Sequence, residues 1–78
     1  MRIGDLNALV AESLSAPLGS INDNTELQSV LSWDSMAHMI LVANIEQKYD
    51  VLFSGDEIVE MTHVNVIKKL LISKGLDE

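Results

Sequence analysis

The tripeptide Asp34-Ser35-Met36 stands where a long polar loop meets the most regular helical stretch of the chain. The first turn of a helix carries unpaired backbone N–H groups and a partial positive charge. A serine hydroxyl placed there faces solvent, and a phosphate ester on it is favoured by both features. The chemistry this position suits is therefore covalent acceptance of a phosphodiester. Aspartate and serine also begin many helices as plain caps, so the dipeptide alone is compatible with either role.

The other reactive side chains form weaker patterns. His38 and His63 lie far apart, and neither has a partner at metal-ligand spacing. His38 is expected on the exposed side of its helix, close to Ser35. Pairing Ser35 with His38 as nucleophile and base leaves no third group to orient the imidazole, so no catalytic residue is assigned. Asp50 fails as the start of a calcium loop, because Leu52 stands where an oxygen ligand is needed. No metal site is expected. The chain has no cysteine, so any thiol it uses must be imported.

Four helical stretches must position these residues. Leu6, Leu9, Val10 and Leu14 predict a first helix over about 3–15, stopped by Pro17 and Gly19. A loop follows to Trp33. Asn22-Asp23-Asn24-Thr25 supplies its turn, and Ile21, Leu27, Val30 and Leu31 are expected to pin it to the core. A loop this long in a small domain is often functional. The second helix opens at Asp34 or Ser35 and ends near Tyr49-Asp50, with Met36, Met39, Val42, Ile45 and Tyr49 as its apolar stripe. Val51-Leu52-Phe53 reads as a buried connector. Ser54 or Asp56 opens a short third helix to about Glu60, with Ser54 and Glu57 at capping-box spacing. Thr62 is expected to cap a fourth helix whose stripe is Val64, Ile67, Leu70 and Leu71, ended by Gly75. The expected fold is all-α: a four-helix bundle with a long loop between helices 1 and 2 and a short third helix. Residues 1–78 are expected to form a single domain.

Leu31-Ser32-Trp33-Asp34-Ser35-Met36 resembles the attachment motif of the acyl carrier protein family, in which Asp-Ser-Leu or Asp-Ser-Met opens the second helix. The resemblance continues through Ile45-Glu46-Gln47-Lys48-Tyr49, Phe53, Asp56-Glu57-Ile58 and Met61-Thr62-His63-Val64, with no insertion between Asp34 and Val64. It is specific from Leu31 onward. Leu6, Leu9 and Val10 are compatible with the family's first helix without being diagnostic.

That resemblance implies a carrier rather than an enzyme. A phosphopantetheinyl transferase, with magnesium at its own active site, would move 4′-phosphopantetheine from coenzyme A to Ser35. The thiol at the end of the arm would hold acyl groups as thioesters, and tethering raises their effective concentration for each enzyme visited. The partners implied are the transferase, an acyl-loading ligase or acyltransferase, and downstream biosynthetic enzymes. Asp34, Met36 and Glu46 match positions that meet partners in this family, and Asp56, Glu57 and Glu60 offer a negative recognition patch on the third helix. Medium-length acyl chains can lodge between the helices in this family, and Met36, Met39 and Met61 would make such a core adaptable. Capping, core packing and solvated helix faces are the plainer roles open to the same residues.

Composition agrees with this class. A chain of 78 residues buries only about 60% of the surface its unfolded form exposes, which leaves little room for a core and an enclosed active site together. Apolar residues make up 47%, ordinary for a folded protein. Twelve acidic residues against five basic ones give a net charge of −7, which repels phosphate backbones and anionic membranes. Neither nucleic acid nor membrane is an expected partner. No signal peptide or membrane span is read, so a cytoplasmic monomer is expected.

One departure bears on the pathway. Carriers of bacterial fatty acid synthesis usually have a strongly acidic second helix, whereas the matching positions here hold Ala37, Ile40 and Gln47, and only Glu46 keeps its charge. Lys48 adds a positive one, and Ile40 with Leu41 offers an apolar strip. This favours a specialised pathway (polyketide, modified-sugar or other secondary metabolism) over housekeeping fatty acid synthesis. Two alternatives stay open: an aminoacyl or D-alanyl carrier, and a helical interaction module that is never modified.

Overall fold

The computed structural model describes residues 3–77; Met1, Arg2 and Glu78, and with them the start of the amino-terminal segment, lie outside the described residues. The first helix, α1, spans Leu6–Ser13. It starts three residues later than the periodicity suggests, because Ile3 is tied elsewhere. The Ile3 amide donates to the Asp77 carbonyl at 2.9 Å, and its carbonyl accepts from Leu6 N at 3.0 Å. The helix is closed just beyond its C-cap Leu14 by Ser15, which takes a left-handed φ of 55°. Ser15 N then donates to Glu12 O at 3.2 Å and Ala16 N to Ala11 O at 2.8 Å, a pair of bonds that satisfies the last carbonyls. The stop therefore precedes Pro17 and Gly19.

The loop to Trp33 is held from both sides. Asn24 N donates to Asn22 Oδ1 and Asn22 N to Thr25 Oγ1, each at 2.9 Å, which fixes the turn read from the sequence. Ile21 and Leu27 are buried and Val30 is half-buried, whereas Leu31 is fully exposed and pins nothing. A single 3-10 turn covers Leu27–Ser29.

The second helix, α2, spans Ser35–Tyr49 with Asp34 as its N-cap. Its buried face is Leu41, Val42, Ile45 and Tyr49, with Ala37 packed beside them. Met36 and Met39 are exposed, contrary to the expected stripe. Steps of three residues drift around a helix of 3.6 residues per turn, so a stripe traced back from Val42 by threes leaves the core.

The connector 51–53 is extended, and its side chains alternate: Val51 is half-buried, Leu52 is 80% exposed, and Phe53 is buried. It is not a uniformly buried segment. The third helix, α3, spans Gly55–Glu60 behind a complete capping box. Glu57 N donates to Ser54 Oγ at 3.2 Å while Ser54 N donates to Glu57 Oε1 at 2.8 Å.

The fourth helix, α4, spans Val64–Ser73. Its N-cap is His63 rather than Thr62, and no side chain caps it. The loop does so instead: Val64 N donates to Thr25 O at 3.1 Å and Asn65 N to Asp23 O at 2.9 Å, and Leu27 N returns a bond to Thr62 O at 2.9 Å. Gly75, at φ 97°, ends α4 as the sequence suggests, with Leu76 N on Leu71 O at 3.2 Å.

Helix α1 packs on α2 and α4. Leu6, Val10 and Leu14 meet Leu27, Leu41, Ile45, Ile67 and Leu71 in one core, where each fully buried side chain contributes roughly 1.5–3 kcal/mol of transfer free energy. Among the described residues there is no strand, only an isolated bridge between Glu26 and His63. The fold is all-α with a long first loop and a short α3. Among the described residues no helix is long and apolar enough to cross a membrane.

Candidate functional site

Asp34 has an extended backbone (φ −153°, ψ −179°), which turns its side chain back over the first turn of α2. Its Oδ1 accepts from Ala37 N at 2.7 Å, and its carbonyl accepts from His38 N at 2.9 Å. The carbonyl bond is the first of the helix ladder, and the side-chain bond satisfies the Ala37 amide, one of the four at the helix start that have no intrahelical partner. Those of Ser35 and Met36 have no protein partner among the described residues. Ser35 is the first residue of α2 and is exposed, so its hydroxyl is open to solvent. An exposed hydroxyl beside two free amides at a positive helix end is a fit for a phosphodiester.

The loop is anchored just before the site. Ser32 Oγ donates to the Leu14 carbonyl, which ties the last residues of the loop to the end of α1. Trp33 follows, half-buried, and its indole Nε1–H donates to His38 Nδ1 at 3.2 Å. The two rings meet edge to face, centroids 5.7 Å apart at 68°. His38 Nε2 lies 3.0 Å from the Ile58 carbonyl of α3. An indole nitrogen can only donate, so Nδ1 is the acceptor and the imidazole proton sits on Nε2, aimed at Ile58. His38 is therefore half-buried and bonded at both nitrogens, not the exposed residue expected. Nothing in the sequence marked Trp33 or Ile58 as its partners, because the contact joins three elements and one partner is a backbone carbonyl.

A groove of about 260 Å³ opens beside Ser35 between α2 and α3. Trp33, Met39, Ile58, Val59 and Met61 give it an apolar lining, and His38 forms part of the wall.

The remaining candidates are spread over the surface. Met36 is 74% exposed, and Asp34, Asp56 and Glu60 are exposed as well. Glu46 is half-buried, and its Oε2 accepts from Phe53 N at 2.9 Å. Glu57 closes the α3 capping box and also takes Lys74 Nζ at 3.1 Å. The Ser54 amide above all, with help from Lys74, holds its carboxyl below the ordinary carboxylate range. Leu41 is fully buried, so only Ile40 of the expected apolar strip reaches the surface. Among the described residues no cluster of side chains could hold a metal ion.

This fold, with an exposed serine at the start of its second helix, defines a carrier protein of the acyl-carrier type. The chain matches the family described as "Phosphopantetheine attachment site" over residues 5–71 and belongs to it. Its cofactor is covalently bound 4′-phosphopantetheine. Among solved structures it is similar to the solution structure of the holo acyl carrier protein from Geobacter metallireducens. The TM-score is 0.79 at 21% identity, covering 92% of this chain and 83% of that one, a likeness of fold. No curated protein matches the chain.

Proposed function

We propose that Ser35 is the attachment residue and that the protein carries acyl groups for a specialised biosynthetic pathway. The observation that carries the assignment is the exposed Ser35 hydroxyl beside the amides of Ser35 and Met36, which have no partner among the described residues. A phosphopantetheinyl transferase is the first partner. Ser35 Oγ forms the new bond to phosphorus, the bond to the nucleotide half of coenzyme A breaks, and the hydroxyl proton leaves to a base of the transferase. Asp34 holds the first turn in place during this exchange through its bond to Ala37 N. When bound, the group supplies a terminal thiol that holds acyl cargo as a thioester. The groove beside Ser35 offers short cargo an apolar shelter.

The later partners are an acyl-loading ligase or acyltransferase and the enzymes downstream. The specialised-pathway reading is supported by the surface of α2, where Met36, Met39 and Ile40 are exposed in place of a row of acids. A partner that grips carriers through arginine finds few anions there, whereas an apolar contact finds three side chains. Carriage of an aminoacyl group is the second reading, since the motif is equally compatible with it.

Mass spectrometry after incubation with coenzyme A and a broad-specificity transferase tests attachment. A mass gain in wild type that is absent in Ser35→Ala supports it, and no gain in wild type refutes it. Turnover with a fatty-acid synthase ketosynthase equal to that of a housekeeping carrier would refute the pathway reading.

A further inference from the structure

The groove beside Ser35 is small and its closure is specific. About 260 Å³ falls below the roughly 300–1,000 Å³ of pockets that bury a small-molecule ligand. Its size depends on how close α3 lies to the start of α2, and one side chain spans that gap. His38 on α2 accepts from Trp33 in the preceding loop and donates to Ile58 on α3. Gln28 and Thr62 also line the groove, and the rest of its wall is largely apolar and adaptable, with Met39 and Met61 on it. Among the described residues the only polar tie from the start of α2 to α3 is the His38 clasp. A longer chain can enter only if α3 moves outward. That movement separates His38 Nε2–H from the Ile58 carbonyl and leaves both groups unpaired against an apolar chain.

We propose that His38 is a specificity-determining residue: the Trp33–His38–Ile58 clasp limits the shelter beside Ser35 to short acyl cargo. This inference rests on attachment at Ser35. With the clasp closed, short cargo is covered and long cargo stays largely in solvent. Removing the clasp lets α3 yield and admits longer chains. Because the imidazole must accept at one nitrogen and donate at the other, a glutamine, whose amide can do both, retains part of the function. A leucine retains none of it.

The test begins from protein already shown by mass to carry the arm on Ser35, so failure of attachment is seen separately. Wild type, His38→Gln and His38→Leu are loaded with straight-chain acyl groups from butyryl to dodecanoyl, and thioester hydrolysis is followed with time. In wild type, short thioesters should be protected and long ones hydrolysed as fast as an unprotected pantetheine thioester. In His38→Leu the ratio of long-chain to short-chain hydrolysis should fall about fivefold, the factor equivalent to ~1 kcal/mol for one neutral hydrogen bond. His38→Gln should lie between the two. The Trp33 indole N–H resonance gives a second reading in wild type. It should stay at its unloaded position with butyryl cargo and shift only if longer cargo forces the clasp open. Trp33→Phe, which removes the indole donor and trims the ring that lines the groove, covers the case in which His38→Leu does not fold, and should shift the chain-length limit in the same direction. Equal protection of butyryl and dodecanoyl thioesters in wild type, or an unchanged ratio in the variants, overturns the proposal.

Discussion

Glu46 Oε2 accepts the Phe53 amide hydrogen at 2.9 Å, joining the last turns of α2 to the segment that leads into α3. The only acid retained at the compared α2 positions thus has a structural task beside any contact with partners. The extended connector has no sheet to satisfy its amides, so a side chain must do so. Glu46→Ala should lower stability by about 1.5–3 kcal/mol, the range for a hydrogen bond to a charged group. Glu46→Gln keeps an accepting oxygen and should recover most of that loss in urea unfolding. A partner that needs the charge would still lose affinity for Glu46→Gln. Equal destabilisation by both substitutions would show that the charge, not the accepting oxygen, matters to the fold.

Asp34 is separable in the same way. Its Oδ1 caps α2 through Ala37 N, and removing a cap of this kind costs about 0.5–2 kcal/mol. Asp34→Ala should lose that amount, while Asp34→Ser should fold almost as well as wild type because serine caps equally well. If the transferase reads the carboxylate itself, both variants should be modified slowly despite their different stabilities. Modification rates that track stability alone would leave Asp34 as a cap and nothing more.

Acid should weaken the fold through two named carboxylates. The Lys68 ammonium, by hydrogen bond and then by charge, holds Asp23 below its ordinary value of 3.8, and the Ser54 amide with Lys74 holds Glu57 below 4.5. Both groups bind a proton more weakly folded than unfolded. Their contribution is therefore present at neutral pH and is lost as pH falls through 4.5 and 3.8 towards the folded values. Urea midpoints between pH 7 and pH 3 should fall in wild type. The decline should be shallower in Glu57→Gln and Asp23→Asn, and an unchanged slope in both would exclude these pairs as its source.

Much of this protein could be read from local pattern. The N-cap at Asp34, the capping box of Ser54 and Glu57, and the stop at Gly75 depend on neighbours a few residues apart, and each forms as the spacing suggests. What escaped depends on long-range geometry. Thr62 does not cap α4, because carbonyls of Asp23 and Thr25, far back in the chain, already take the amides it would have bound. Met36 and Met39 left the stripe because the core contacts only one side of α2. Ser35 was legible as the first residue of α2, since a helix start is a local feature. The groove beside it was not, since Trp33, His38 and Ile58 meet only after α3 folds back on α2.

Tyr49 closes the buried face of α2, is only 3% exposed, and its hydroxyl has no hydrogen-bond partner among the described residues. Burial, with a smaller contribution from the Asp5 charge, pushes its phenol above the ordinary value of 10.0. A buried polar group without a partner costs about 1–3 kcal/mol, and deleting only that oxygen leaves the ring packing intact. Tyr49→Phe should therefore stabilise the fold by ~1 kcal/mol, raising the thermal midpoint by roughly 4–8 °C in a domain of this size. The pH dependence supplies a second sign. With the folded value raised, the unfolded chain loses its phenolic proton first, so wild type should lose stability as pH rises past 10.0 towards the folded value. Tyr49→Phe should lack that part of the alkaline loss. A variant less stable than wild type at pH 7 would mean instead that the hydroxyl is satisfied by an internal water, and that its removal strands the water rather than relieving the core.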